Sequence, residues 1–146
     1  FRFYKGNSGV QIRSQDLGDW QVRGYQVEVA AHDKMGLWHH SLREADYRSH
    51  LAEAGEKAHF SAAGKKTVQR FANAETLQAL CKDGKWNDMH IIAKGSHLVQ
   101  KINGVVFAEL TDEDRKYSRR SGLIALQDHG RNCKVEFKDI FVRSLD

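Results

Sequence analysis

The chain has 146 residues, enough for one domain with a substantial core, and its 40% hydrophobic and 29% charged residues are typical of a globular protein. No run of about 18 apolar residues occurs, which excludes a membrane-spanning helix. The formal net charge of +4 is spread along the chain, with short basic clusters only at Lys65-Lys66 and around Arg119-Arg120, so we expect no nucleic-acid partner. We expect a single domain over residues 1–146.

The chain opens with alternating residues that are typical of a strand. Phe1 to Tyr4 is followed by a predicted turn at Gly6 to Gly9 and a second strand at Val10 to Arg13. A period of two places Gln11 and Arg13 on one face of that strand. No signal peptide is visible at the start. Because the chain begins inside a strand, we expect a partner chain or a missing segment to complete the sheet.

The segment Gly24 to Val29 has the clearest alternation in the sequence. Tyr25 and the two valines face one way, whereas Gln26 and Glu28 face the other. We therefore expect one face of this strand to be core and the other polar. A loop or hairpin over Asp16 to Arg23 precedes it.

The middle of the chain is less regular. Gly36-Leu37-Trp38 is a predicted short strand, and His39 to Arg70 contains no clear element, as in a lid or binding loop, although Ser41 to Ala54 can form a helix. A better helix is expected at about Ala74 to Asp83, since Asn73 is a good N-cap residue and Gly84 can end it.

The stretch Trp86 to Leu110 predicts a meander of three strands. The first two are joined at Lys94-Gly95-Ser96, and the next turn is at Asn103-Gly104, a pair typical of type I′ hairpins. We assign Trp86 and Phe107 to the core.

The remaining strands are expected at Gly122 to Gln127, apolar on both sides and hence central, and at Lys134 to Val142. Cys81 and Cys133 are compatible with buried thiols or with one disulfide. Many short strands with one helix indicate an all-β fold, an antiparallel sandwich.

Three parts of the sequence together resemble the 3-keto-disaccharide hydrolase domain family. They are GNSGVQIRS, the GYQVEV strand leading to GLW, and WNDMHIIAKGSHLVQKINGVVFAEL followed by GLIALQDHG and VEFKDIFVRSL. The resemblance covers nearly the whole chain. It implies a concanavalin A-like jelly-roll sandwich of two antiparallel sheets, a sugar or glycoside ligand and a periplasmic or secreted location.

Three features depart from the family pattern. Relatives usually carry a further N-terminal portion with a first strand of the sandwich. Where they often have Leu-Tyr-Asp-Glu, this chain has Leu37-Trp38-His39-His40, and where they often have prolines after the His-Gly turn, it has Arg131-Asn132-Cys133.

The resemblance implies cleavage of 3-keto-glycosides. The keto group makes the C2 proton acidic, so a base can remove it, the C1 substituent leaves by elimination, and water adds back. Glu28 is the expected base. The alternative interpretation is that it is a solvent-exposed residue on the outer face of its strand. His129 is the second expected catalytic residue, or a histidine hydrogen-bonded at a strand end.

Five further residues are expected to bind the substrate: Gln11, Arg13, Gln26, Trp38 and Gln127. Arg13 has an alternative role in a surface salt bridge, and Trp38 has an alternative place in the core, in which case neither would bind substrate.

The sequence identifies no cofactor with certainty, but a divalent metal ion is a candidate because it can polarise a keto oxygen. The densest group of potential ligands is His32, Asp33, His39 and His40, although their spacing matches no known metal motif. A nucleophile elbow, a P-loop and a dinucleotide fingerprint are absent. The alternative function is a non-catalytic carbohydrate-binding or protein-interaction module on the same fold.

Overall fold

A computed structural model of the protein describes residues 1–30, 35–41, 48–130 and 132–145. Strands dominate this part of the chain, and the two largest sheets have five strands each. The elements are β1 (Arg2–Lys5), β2 (Asn7–Asp16), β3 (Val22–Ala30), β4 (Gly36–His40), β5 (His50–Glu53), β6 (Glu56–Phe60), β7 (Lys66–Arg70), α1 (Ala74–Gln78), β8 (Met89–Lys94), β9 (His97–Ile102), β10 (Val105–Asp112), β11 (Leu123–Leu126) and β12 (Lys134–Glu136).

The two large sheets form the layers of the predicted jelly-roll sandwich. One has the strand order β11-β2-β3-β4-β5, and we call it the site sheet; the other has the order β7-β6-β10-β9-β8. All their neighbouring strands are antiparallel except β6 and β10, which are parallel. A separate two-stranded sheet joins β1 to β12.

The core lies between the two large sheets. The inward side chains of β3 meet those of β9 and β10, and the alternation predicted for Gly24 to Val29 is confirmed. Phe107 is fully buried, as predicted. The fully buried side chains include Tyr25, Val27, Leu37, Leu51, Leu98 and Leu110.

The predicted meander is confirmed as β8, β9 and β10. The turn between the last two has positive φ at both central residues, 50° at Asn103 and 83° at Gly104, as a type I′ turn requires. The side-chain nitrogen of Asn103, Nδ2, also donates to the carbonyl oxygen of Leu80 and to the side-chain oxygen of Asn87. This turn therefore ties the meander to the segment after α1.

The helical predictions are only partly correct. Asn73 caps α1 by accepting a hydrogen bond from the Thr76 amide at 3.1 Å, but the helix ends at Gln78 instead of Asp83. A helix was also predicted as possible for Ser41 to Ala54. In the described part of that segment the prediction is wrong, since His50–Glu53 forms the strand β5, which pairs with β4. Strand pairing outweighs the helical preference of this segment. Residues 42–47 lie outside the described residues.

Two strands predicted near the C-terminus are present, but the position of one and the length of the other were predicted wrongly. The strand β11 lies at an edge of the site sheet, and its Ile124 and Leu126 side chains are 49% and 45% exposed, so its apolar pattern does not mark a central strand. The last strand ends at Glu136 because pairing with β1 ends there; beyond it Phe141 is 88% exposed.

Trp86 was expected in the core, but its side chain is 39% exposed. The Arg2 guanidinium and the Lys138 ammonium both lie 4.6 Å from the centre of its ring, so cation-π contacts account for its position at the surface. Both cysteines, Cys81 and Cys133, are free. Among the described residues, no helix is long and apolar enough to cross a membrane.

Candidate functional site

The candidate site lies on the face of the site sheet that points away from the core. Gln26 and Glu28 project from β3 toward this face because they alternate with the core residues Tyr25, Val27 and Val29. Polar side chains on such a face are usually exposed to water. Here Gln26 is only 2% exposed and Glu28 only 3%. Buried polar groups at this position require hydrogen-bond partners.

Two side-chain amides donate hydrogen bonds to the Glu28 carboxylate. Its Oε1 accepts from Gln26 Nε2 at 2.5 Å, and its Oε2 accepts from Asn7 Nδ2 at 3.0 Å. The register of β2 and β3 places Gly9 opposite Glu28. A Cβ at Gly9 would lie 2.7 Å from Gln26 Cγ, so the missing side chain gives Gln26 room to reach the carboxylate.

The network continues across the hairpin. Gln11 lies directly opposite Gln26, and its Nε2 donates to Gln26 Oε1 at 2.7 Å. Ser14 Oγ then donates to Gln11 Oε1 at 2.8 Å. Both Gln11 and Ser14 are buried, so this end of the network is closed to solvent. We call the set Asn7, Gln11, Ser14, Gln26, Glu28 and Gln127 the polar network.

Gln127 connects the network to a histidine. The residue follows β11, where its main-chain nitrogen donates to the Gly9 oxygen. Its side-chain Oε1 accepts from Gln26 Nε2 at 3.1 Å, and its Nε2 lies 3.4 Å from His40 Nε2. Residues from β2, β3 and β4 and from the end of β11 are therefore joined on one face.

A flat aromatic surface borders the network. Trp38 lies opposite Gln26 in the register of β3 and β4, and its ring stacks on His50 with a centroid distance of 4.4 Å and an angle of 19°. Both residues are half-buried. Trp38 is therefore placed beside the polar network, where it was expected to bind substrate, and His50 supports it from β5.

The histidines of this face favour their neutral forms. Burial lowers the pKa of His40, and the charge of the nearby His129 lowers it further. Burial also lowers the pKa of His50. His129 itself is exposed at the rim. The structure thus brings Glu28, Gln26, Gln11, Gln127 and Trp38 together and places His129 close to His40.

The expectation that Arg13 shares a face with Gln11 is wrong. The pairing of β2 with β3 shifts between Ile12 and Gln15, and Arg13 has a φ of 49°. This bulge breaks the period of two, so Ser14 takes the position beside Gln11. The Arg13 guanidinium instead donates to the carbonyl oxygens of Gly95, at 2.7 Å, and Arg119. Arg13 thus links the two sheets at their end.

The structure separates the predicted metal ligands. His39 points to the side of the sheet opposite His40, where its ring stacks on Tyr25 at 4.8 Å and its Nδ1 accepts from Arg48 Nε. His32 and Asp33 lie outside the described residues. Within residues 1–30, 35–41, 48–130 and 132–145, no three His, Cys, Asp or Glu side chains are grouped as metal ligands.

His39 belongs to a buried charged cluster. Arg48 makes a bidentate ion pair with Asp112, at 3.1 and 2.7 Å, and Tyr25 donates to the same carboxylate. Burial alone would raise the pKa of Asp112, but hydrogen bonds from Arg48 and Tyr25 lower it overall. Burial and the Arg48 charge lower the pKa of His39 to about 3. Every group described here has a partner, so we assign the cluster to stability.

Three site residues were not predicted. Asn7 was placed in a turn, although the register of the β2-β3 hairpin brings it near Glu28. Ser14 faces the network only because of the bulge at Arg13, and no sequence pattern predicts that bulge. His50 is a lone histidine whose only signal is its place on the strand that pairs with β4.

The arrangement is suited to a polar ligand with a flat apolar face. The network offers a carboxylate and several amides, His40 and His129 offer imidazole nitrogens, and Trp38 offers a ring surface. Sugars have hydroxyl groups and apolar ring faces that such groups recognise.

The model of one protein family, described as 3-keto-alpha-glucoside-1,2-lyase-like domain, matches residues 1–143. No curated protein matches the chain. The family match covers both large sheets and every residue of the polar network, and it indicates a carbohydrate-related function.

Proposed function

The chain belongs to the 3-keto-alpha-glucoside-1,2-lyase-like domain family, and on that premise we propose that it cleaves 3-keto-glycosides. The reaction begins with removal of the C2 proton, which the neighbouring keto group makes acidic. The C1 substituent then leaves, and water adds to the resulting double bond. The single observation that supports this proposal most strongly is the buried Glu28 carboxylate held by two amides on the outer face of the site sheet.

Glu28 is the proposed base. Gln26 and Asn7 each donate to one of its oxygens, which fixes the direction of the carboxylate. A base can remove a proton only when the two lie within hydrogen-bond distance. A carboxylate held in one direction therefore contributes to catalysis, because it stays aimed at the proton of a bound substrate. Gln11 and Gln26 act indirectly, since Gln11 holds Gln26 and Gln26 holds Glu28. That leaves Gln127 and Trp38 to bind the sugar.

His129 is the proposed acid for the leaving group. It is exposed, as an acid that protonates a departing aglycone at the rim needs to be, and it lies near His40. A location outside the cytoplasm, periplasmic or secreted, suits an activity on glycosides that come from the environment.

The burial of Glu28 favours one alternative. A carboxylate that is 3% exposed and bonded to two amides can also be a purely structural group. The protein would then bind carbohydrate through Trp38 and the amides without cleaving it.

Turnover separates the two functions. A 3-keto-glucoside with a chromogenic aglycone and the corresponding unoxidised glucoside are offered to the protein, and aglycone release is measured. We expect release from the 3-keto substrate alone. Absence of release from both substrates, with binding retained in calorimetry, would establish the binding module instead.

A variant tests the role of Glu28. We expect Glu28→Gln to lower kcat by about 10²-fold or more, as loss of a general base does. The matched control is Glu113→Gln, whose exposed carboxylate contacts His59 on the other sheet. An unchanged kcat in Glu28→Gln, together with an unchanged control, would remove Glu28 from the reaction.

A further inference from the structure

A cavity that is open to solvent lies at one end of the second large sheet and includes no residue of the polar network. Because β6 and β10 are parallel, they end side by side, with Phe60 opposite Asp112. The segments that follow these strands face each other, and the Arg115 main-chain nitrogen donates to the Ala62 oxygen at 3.3 Å between them. The enclosed space is about 440 Å³, within the usual range of ligand pockets.

The inner surface of the cavity is mostly apolar. Ala62, Ala63 and Gly64 form one wall, which carries two methyl groups and no longer side chain. Gly64 suits the turn after β6 because its φ of 79° lies in the left-handed region. Phe60 and Tyr117 add two aromatic rings. A surface of this kind can contact the C–H groups of a sugar ring.

The charged groups of the cavity favour an anion. Arg48, Arg115 and Lys116 line it, together with one carboxylate, that of Asp114. The Asp114 Oδ1 accepts from the main-chain nitrogens of Lys116 and Tyr117, at 2.8 and 3.3 Å. Its Oδ2 lies 3.5 Å from Arg48 Nη1. The single negative charge is thus offset within the protein, and the positive charges dominate.

The Arg115 guanidinium is the cation best placed to meet a ligand. Its side chain is exposed, and no ion pair involves it within residues 1–30, 35–41, 48–130 and 132–145. Arg48, by contrast, is held in its bidentate ion pair with Asp112. The neighbouring Glu113 carboxylate contacts His59 at 2.9 Å and does not line the cavity. A guanidinium can bind a carboxylate through two parallel hydrogen bonds.

We propose that this cavity binds a carboxylated sugar, a hexuronate unit, with the carboxylate on Arg115 and the sugar ring against Ala62 and Ala63. Lys116 adds a second positive charge from the same turn. The carbohydrate-related family supports a sugar in preference to other carboxylates. The site goes beyond the proposed cleavage and does not depend on it. Because Arg115 and Lys116 are exposed, we expect weak, salt-dependent binding, with a Kd on the order of 1 mM.

Three probes test the two halves of the ligand in ¹H–¹⁵N spectra of the protein. Methyl glucuronide has the ring and the carboxylate, methyl glucoside has the ring alone, and acetate has the carboxylate alone. We expect the glucuronide to shift the main-chain amides of Gly64, Arg115 and Tyr117, and to bind about three-fold more weakly in high salt. Absence of these shifts, or equal affinity for acetate or for the glucoside, would overturn the proposal.

Two substitutions and a matched control test the location. Arg115→Gln removes the guanidinium, and Ala63→Leu fills the cavity without changing its charge, so each should weaken glucuronide binding about five-fold or more. Both positions are exposed, so the fold should tolerate the changes. Arg143→Gln removes the same charge from an exposed position in the C-terminal segment and should bind like the wild type.

Wild-type affinity in Arg115→Gln, or an equal loss in Arg115→Gln and Arg143→Gln, would overturn the site. Wild-type affinity in Ala63→Leu would show that the ligand lies outside the cavity and would overturn it as well. These measurements need no turnover, so their failure is distinct from a failure of the proposed cleavage.

Discussion

Replacing Gln26 by methionine should destabilise the fold more than any other single amide substitution in the polar network. Gln26 contacts Gln11, Glu28 and Gln127, and the first two of these partners are 1% and 3% exposed. Methionine has a similar volume but cannot replace these hydrogen bonds. Each buried group left unsatisfied costs about 1–3 kcal/mol, so the two buried partners together predict a loss of ~2–6 kcal/mol.

Urea unfolding followed by tryptophan fluorescence measures this loss of stability. The matched control is Gln69→Met on β7, an exposed position that should change the free energy of unfolding by less than about 0.5 kcal/mol. Combining Gln26→Met with Gln11→Met should cost less than the sum of the two, since the second substitution removes a donor that is already unpaired. A loss below about 0.5 kcal/mol for Gln26→Met would refute the buried network.

Three further predictions concern the charged cluster on the inner side of the site sheet. Asp112→Asn should cost about 3 kcal/mol because it removes the bidentate carboxylate from the buried Arg48 and leaves it only the longer contact to Asp114 at 3.5 Å. Urea unfolding near neutral pH measures this loss, and a value under about 1 kcal/mol would contradict it. In the wild type, the lowered pKa of Asp112 means that its contribution is complete above the unfolded value of 3.8 and is lost as the pH falls through the folded pKa. His39 stays neutral in the folded state down to a pKa of about 3, whereas the unfolded chain takes up the proton near pH 6.5, so stability should fall as the pH drops from about 6.5 toward 3. A His39 ring that titrates near pH 6.5 in NMR spectra of the folded protein would refute this assignment.

Much of the fold could be predicted because alternation and turn residues report on local geometry. The β3 pattern identified both faces of the strand, and Asn103-Gly104 identified the hairpin. The prediction that β11 is a central strand failed. An apolar run indicates a strand buried on both faces only when neighbouring strands and a second sheet cover it. Ile124 and Leu126 have no such cover among the described residues.

The candidate site was harder to predict. Glu28, Gln26 and Gln127 follow from the strand faces, but Arg13 does not, since one bulge reverses its direction. Asn7 and His40 depend on register and on hydrogen bonds between strands that are distant in sequence. A linear pattern contains neither kind of information, which is why the amide series emerges only in three dimensions.

The most direct measurement of the proposed reaction is cleavage of a 3-keto-glucoside in D₂O, followed by mass spectrometry of the released sugar. Elimination removes the C2 proton and hydration returns one from the solvent, so we predict one deuterium bound to C2 in the product, beyond the exchange seen without protein. Release of the aglycone with C2 still carrying its original proton would contradict the proposed mechanism.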